Sequence, residues 1–171
     1  MKKIIIAGVA LFGLFSCQQD KIAFVDNTTL INDYQEKKDI ESKFKGKLET
    51  FEKKTDSLSR ALQAEAQAFQ AEASKMSQNK AQEKYEQLMQ KRGQIQQQVQ
   101  QEEMELQQES QEQIDSLVKK VRAFIKEYGK DKGYTYILGA NEAGSVLYGE
   151  DSRDITKEVL KELNDKYSDK K

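Results

Sequence analysis

Between positions 28 and 128 the chain carries no proline and only two glycines, Gly46 and Gly93. Proline breaks helix interiors and glycine weakens them. The segment is rich in Gln, Glu, Lys and Ala, which favour helix, so it reads as long helix. In one piece a hundred helical residues would reach about 150 Å at 1.5 Å per residue, and a fold-back is expected instead. On the ascending side apolar residues fall at Ile40, Phe44, Leu48, Phe51, Leu58, Leu62, Phe69 and Met76. Their spacings are mostly three, four or seven, as a coiled-coil seam requires. On the descending side they fall at Leu88, Ile95, Val99, Leu106, Leu117, Val121 and Phe124. Reflection about a point between Gln78 and Asn79 sets Phe69 against Leu88, Leu62 against Ile95, Leu58 against Val99, Phe51 against Leu106 and Ile40 against Leu117. The turn is expected near residues 77–80, the polar run Ser77-Gln78-Asn79-Lys80.

The seam is thin. The same reflection sets Phe44 and Leu48 against Gln113 and Glu109, and Thr55 against Glu102. Residues 94–113 are largely Gln and Glu. Such a pair of helices bends and frays readily. The competing reading of its tip is a solvated low-complexity tract.

Residues 1–16 read as a signal, not structure. Lys2 and Lys3 form a positive start, and the apolar run that follows is too short to span a bilayer. It ends in Leu14-Phe15-Ser16-Cys17, which resembles a bacterial lipobox: cleavage before Cys17 and acylation of Cys17 are expected. The alternative is an ordinary cleaved signal beside which the cysteine is incidental. Cleavage removes two lysines, leaving 26 Lys+Arg against 29 Asp+Glu, a net charge near −3. That balance offers no electrostatic attraction to nucleic acid.

The ends of the mature chain look different from its middle. Lys21-Ile22-Ala23-Phe24-Val25-Asp26 reads as a buried strand. After Gly129, glycines bracket two apolar runs, Tyr134-Thr135-Tyr136-Ile137-Leu138 and Val146-Leu147-Tyr148, expected to pair as a β-hairpin across Asn141-Glu142-Ala143-Gly144. A last amphipathic helix starts near Ile155, with Asp154 as its N-cap and Ile155, Val159, Leu160 and Leu163 on one face. Three short strands and one helix make a weak core. The chain has no histidine and one cysteine. An internal disulfide and a His- or thiolate-ligated metal are therefore excluded, and oligomerisation is expected to complete the core. The expected layout is 1–16 signal, 17–27 anchor, linker and first strand, 28–128 helical arm, and 129–171 hairpin and last helix.

This order of elements resembles the Skp/OmpH-like family of periplasmic chaperones. The likeness lies in Lys21 to Asp26 followed by Leu30 and Tyr34, and in Tyr134 to Leu138, Val146-Leu147-Tyr148-Gly149 and Asp154-Ile155-Thr156. The arms match in type and length only, since coiled-coil composition is not specific. The resemblance implies an α+β, mostly helical fold: a three-stranded β body with a long antiparallel helical hairpin arm, assembled as a jellyfish-shaped homotrimer. It implies an ATP-independent holdase that keeps unfolded outer-membrane or envelope proteins between its arms. It places the protein in the bacterial periplasm, and the lipobox adds attachment to a membrane, the outer membrane by preference. Well-known members are strongly basic, whereas this chain has a pI near 5.8, so charge steering of clients is in doubt.

Expected roles follow from these readings. Cys17 carries the lipid. Ile22, Phe24, Val25, Tyr136, Leu138, Val146 and Tyr148 form the oligomerisation body. Ile40, Leu58, Leu62, Leu88, Ile95, Val99, Leu106 and Leu117 form the hairpin seam. Met89 and Met104 lie off the seam and are candidate client contacts. Phe51, Phe69 and Met76 are candidates too, with the seam as the competing role of the two phenylalanines. No phosphate loop is present, and neither catalysis, a cofactor, a nucleotide nor a nucleic-acid partner is expected. Ser42-Lys43-Phe44-Lys45 and Ser116-Leu117-Val118-Lys119 match S-x-x-K, a spacing that lysine-rich helices produce by chance. The alternative function is a lipid-anchored coiled-coil tether spacing two envelope elements.

Overall fold

A computed structural model describes residues 20–141 and 144–169; the signal segment and Cys17 lie outside the described residues. The chain opens on strand β1 (Ile22–Asp26) and passes directly into helix α1 (Asn27–Asp33). Asp26 makes that junction. Its carboxylate accepts the backbone N–H groups of Thr28 and Thr29 at 2.8 and 3.1 Å, as an N-cap does. The bonds from Thr29 and Thr28 hold its acid below the ordinary carboxylate range. Tyr34, with extended backbone, separates α1 from α2 (Gln35–Ala73). Helix α3 (Gln78–Asp131) returns to the body. Strand β2 (Tyr136–Ala140), a short 3-10 turn (Asp151–Arg153) and helix α4 (Thr156–Ser168) complete it.

The turn between the long helices occupies residues 74–77, with Lys75 N–H bonded to Glu72 O and Met76 N–H to Ala73 O. Ser77 belongs to it, but Gln78, Asn79 and Lys80 form the first turn of α3. Ser77 takes the extended conformation of a helix N-cap, a position serine favours over a helix interior.

Strands β1 and β2 pair in parallel, with Ile22 beside Tyr136 and Phe24 beside Leu138. The expected hairpin is not formed: among the described residues 144–149 no strand is present. Instead the chain returns along the other edge of β1. Asp154 bridges to Phe24, Ile155 N–H donates to Phe24 O at 3.0 Å, and Asp26 N–H donates to Thr156 Oγ1 at 2.8 Å. The return segment is thus drawn across to β1, with Gly149 against Phe24, and the outer edge of β2, where the hairpin would have formed, carries no strand among the described residues. A Cβ on Gly149 would lie 2.4 Å from the Phe24 ring, so only glycine lets the return segment pass this close. Helix α4 starts one residue later than expected, with Ile155 in the N-cap place. Asp154 still serves the helix start, its Oδ1 accepting the Thr156 N–H at 2.9 Å.

One face of the pair is packed. Ala23 and Val25 of β1, Leu30 and Tyr34 after it, Leu117, Val121 and Tyr128 of α3, and Ile155, Val159 and Leu163 near α4 form one buried cluster. Fully burying a side chain such as Leu30, Leu117 or Val159 is worth roughly 1.5–3 kcal/mol each. The last turns of α3 supply much of this core. A single chain therefore packs more than three strands and a helix would.

Candidate functional site

Helices α2 and α3 run antiparallel, and their side chains record the register. Glu36–Lys120, Lys47–Glu109, Lys54–Glu102, Glu65–Lys91 and Glu72–Lys84 are paired across the arm. Each pair is equidistant from Gln78. Exposed ion pairs of this kind add little stability singly. Their signs, however, reverse along the arm: lysine lies on α2 in its middle and on α3 near its tip, which disfavours a slipped register. The Lys47 ammonium, hydrogen-bonded to Glu109, holds that carboxyl below its usual range.

Beneath this ladder lies the seam, and its repeat differs from the heptad expectation. On α2 the half-buried Ile40, Phe51, Leu62 and Ala73 recur every eleven residues, and Phe44, Thr55 and Ala66 form a second such row. On α3 Ile95, Leu106, Leu117 and Tyr128 recur in the same way, as do Leu88, Val99, Ser110 and Val121. Eleven residues in three turns is about 3.67 per turn, close to the free α-helix, so no left-handed supercoil is imposed. Phe69 and Leu88 line one shallow groove, and Phe51 and Leu106 another. Ile40 packs against the cluster that contains Leu117. Leu58, Leu62, Ile95 and Val99 are half-buried. Leu48 departs from the expected seam: it is 50% exposed, because a third eleven-residue row, Lys47, Leu58 and Phe69, puts Lys47 there in its place. Thr55 lies on the seam, where its hydroxyl is buried without a hydrogen-bond partner.

Outside the seam, Tyr85, Met89 and Met104 are exposed on α3. Met76 is half-buried in the turn, and Phe51 and Phe69 are half-buried on α2. The arm thus offers a polar surface with a few isolated, adaptable apolar side chains.

The body presents the opposite character. Ile22, Tyr136 and Leu138 are exposed and Phe24 is half-buried, all on the sheet face away from the core. Beside them Leu147 and Tyr148 are 92% and 86% exposed, and Val146 is half-buried. Val25, grouped with this face by the sequence reading, is 1% exposed in the chain's own core. Strand alternation sends it to the other side from Phe24.

A mount joins arm to body, and no sequence signal marks it. The Tyr34 side chain does not cap α2. Asn164 of α4 does so instead, its Oδ1 accepting the Gln35 N–H at 2.9 Å. The Tyr167 hydroxyl donates to Asp39 at 2.9 Å, and its ring meets that of Tyr34 edge-on at 5.9 Å. The Tyr34 hydroxyl donates to Glu36 at 2.7 Å. Burial, reinforced by this bond, pushes the Tyr34 phenol well above its usual range. Among the described residues no cluster of three His, Cys, Asp or Glu is placed to hold a metal ion, and no helix is long and apolar enough to cross a membrane.

These features define a class: an α+β protein whose small parallel-sheet body carries a long two-helix arm and leaves one apolar sheet face bare. The chain belongs to the OmpH-like family, whose model, described as outer membrane protein (OmpH-like), matches residues 21–163. Its fold is also that of a crystal structure of a candidate outer membrane chaperone (OmpH-like) from Caulobacter crescentus. The TM-score is 0.76 at 15% identity, over 86% of this chain and 85% of that one. No curated protein matches the chain.

Proposed function

We propose that this protein is an ATP-independent holdase of the bacterial envelope, a homotrimer tethered by lipid on Cys17, that keeps unfolded outer-membrane or envelope proteins between its arms. The observation that carries this reading is the pairing of a bare apolar sheet face with a polar, thinly sealed arm. Parallel strands ordinarily have both faces covered. Here Ile22, Tyr136 and Leu138 lack a covering layer beside Phe24, which the return segment meets at Gly149, and two further copies of the chain supply one. Val146 and Tyr148 border the same face. Three bodies so joined project three arms around a shared space. Membership of the OmpH-like family supports a chaperone role in the periplasm.

Clients meet the arms at scattered sites: Tyr85, Met89 and Met104, with Met76 at the turn. Each contact is weak, and binding gains from their number. Methionine suits varied clients because its unbranched chain repacks readily. Binding through such sites needs no excess of positive charge, in keeping with the mildly acidic composition.

A stoichiometric amount of residues 17–171 should suppress aggregation of a denatured outer-membrane barrel without nucleotide. Light scattering should give about three times the monomer mass, as a closed cyclic trimer requires. No suppression at any ratio overturns the holdase and favours the tether. A monodisperse monomer overturns the trimer.

A further inference from the structure

The chain enters the body at its far end from the arm. Lys21 is pinned there: its carbonyl accepts the Thr135 N–H at 2.8 Å. Its ammonium donates to Lys132 O at 2.8 Å and lies 4.0 Å from the centre of the Tyr134 ring. These partners follow the last turn of α3, whose first turn is at the arm tip. Two independent lengths agree on the depth of the body. Glu36, at the root of α2, pairs with Lys120, and from Lys120 to Asp131 α3 descends about 17 Å. The extended run from Lys21 at the base through β1 to Asp26 covers about 17 Å at 3.3 Å per residue. Asp20 and Lys21 therefore mark the base, and the turn at residues 74–77 stands about 80 Å above it, by the rise of α3.

Cys17 precedes Asp20 by three residues, a reach of at most about 11 Å. We infer that the base of the body, around Asp20, Lys21, Lys132 and Arg153, faces the membrane at contact range and that the arms project away from it, opening the client space toward the opposite side of the compartment. This rests on the reading of Cys17 as the anchor point. The base itself carries both signs of charge, since Lys21 and Arg153 share a groove with Asp20 and Lys132 and Arg153 are paired with Glu162 and Glu150, so the covalent anchor, not electrostatic attraction, turns it toward lipid. A chaperone so mounted receives clients approaching from the far membrane, and its tips stand clear of its own.

Orientation is measured apart from acylation. Residues 17–171 contain one thiol, Cys17, which couples to a maleimide lipid in a supported bilayer. Neutron reflectometry should then show a protein layer reaching about 80 Å from the headgroups, densest beside the bilayer where the bodies lie. A layer less than half that height, or one densest at its outer edge, overturns the proposal. In cells, membrane fractionation of the full chain against Cys17→Ala tests the anchor alone. A full chain recovered in the soluble fraction removes the lipid reading, while the coupled layer still reports whether the base or the arm faces the anchor.

Discussion

Asn164→Ala isolates the mount that holds the arm at its angle. The variant removes the side-chain oxygen that accepts the first amide of α2, and alanine is the better helix former within α4. Losing an N-cap costs about 1 kcal/mol, within a range of roughly 0.5–2. The bond is solvent-exposed, so water takes up part of the loss and the lower half of that range applies. Tyr167→Phe removes a bond to a carboxylate, a class worth roughly 1.5–3 kcal/mol. It keeps the ring against Tyr34. In a partly buried setting its cost again falls near the lower end. The pair together should weaken the mount by about 2 kcal/mol, a factor of roughly 30 in local opening. Amide hydrogen exchange, run at fixed protein concentration, reads this residue by residue. Amides of the first turn of α2, from Gln35 to Asp39, should exchange several-fold faster in Asn164→Ala and about thirtyfold faster in the double variant. Those of β1 and of α3 near Leu117 and Val121 should keep their wild-type rates. Equal acceleration across the core would mean that α4 only stabilises the body. Unchanged rates at Gln35 to Asp39 would mean that it plays no part in seating the arm. Lys166→Ala, which loses the exposed pair with Glu127, is the control, expected to cost under about 0.5 kcal/mol.

Other consequences are checked by thermal or denaturant unfolding. A Cβ at Gly46 or Gly93 meets open space, so Gly46→Ala and Gly93→Ala should each stabilise the arm by up to about 1 kcal/mol, whereas Gly149→Ala should lose about 1–3 kcal/mol against the Phe24 ring. Thr55→Val replaces a buried hydroxyl that has no partner and should be neutral or stabilising by roughly 1 kcal/mol; a clear loss would mean that the hydroxyl is bonded. Leu117→Ala, at a fully buried site, should cost about 2–5 kcal/mol. Alkaline pH provides a further test, because the Tyr34 phenol is raised above its ordinary value of 10.0 by burial and by its bond to Glu36. The folded state keeps that proton when the unfolded state sheds it. Stability is therefore intact below about pH 10 and declines above it, and Tyr34→Phe should flatten that decline.

Much of the arm is legible in the sequence because helix signals are local. An absence of proline, a run of good helix formers and apolar residues recurring along one face all act within a few turns of chain. Even the fold-back follows from reflecting one apolar series onto the other, and the ladder of ion pairs centres on Gln78, beside that reflection point. The expected turn falls slightly late, because a polar run such as Gln78-Asn79-Lys80 suits a turn and a first helical turn alike.

Strand segments are legible as apolar runs, but their partners are not. Phe24 pairs with Leu138 and bridges to Asp154, and those neighbours meet only after the whole arm has gone out and come back. Pairing across such a loop is decided by which packing closes the core, not by either segment's own composition. For the same reason alternation alone does not say that Val25 faces inward while Phe24 faces out, since a run of apolar residues reads the same from both sides. The mount is the clearest case. Asn164 and Tyr167 look like ordinary helix residues in the sequence, and they acquire a role only because α4 packs its last turns beside the first turn of α2. Residue order and composition suffice for a long two-helix arm without histidine chemistry or an internal disulfide, because those properties need no distant contact. Which sheet face stays bare, what seats the arm, and that the chain enters the body at the end opposite the arm tip depend on contacts between residues more than a hundred positions apart, and these exist only in the packed fold.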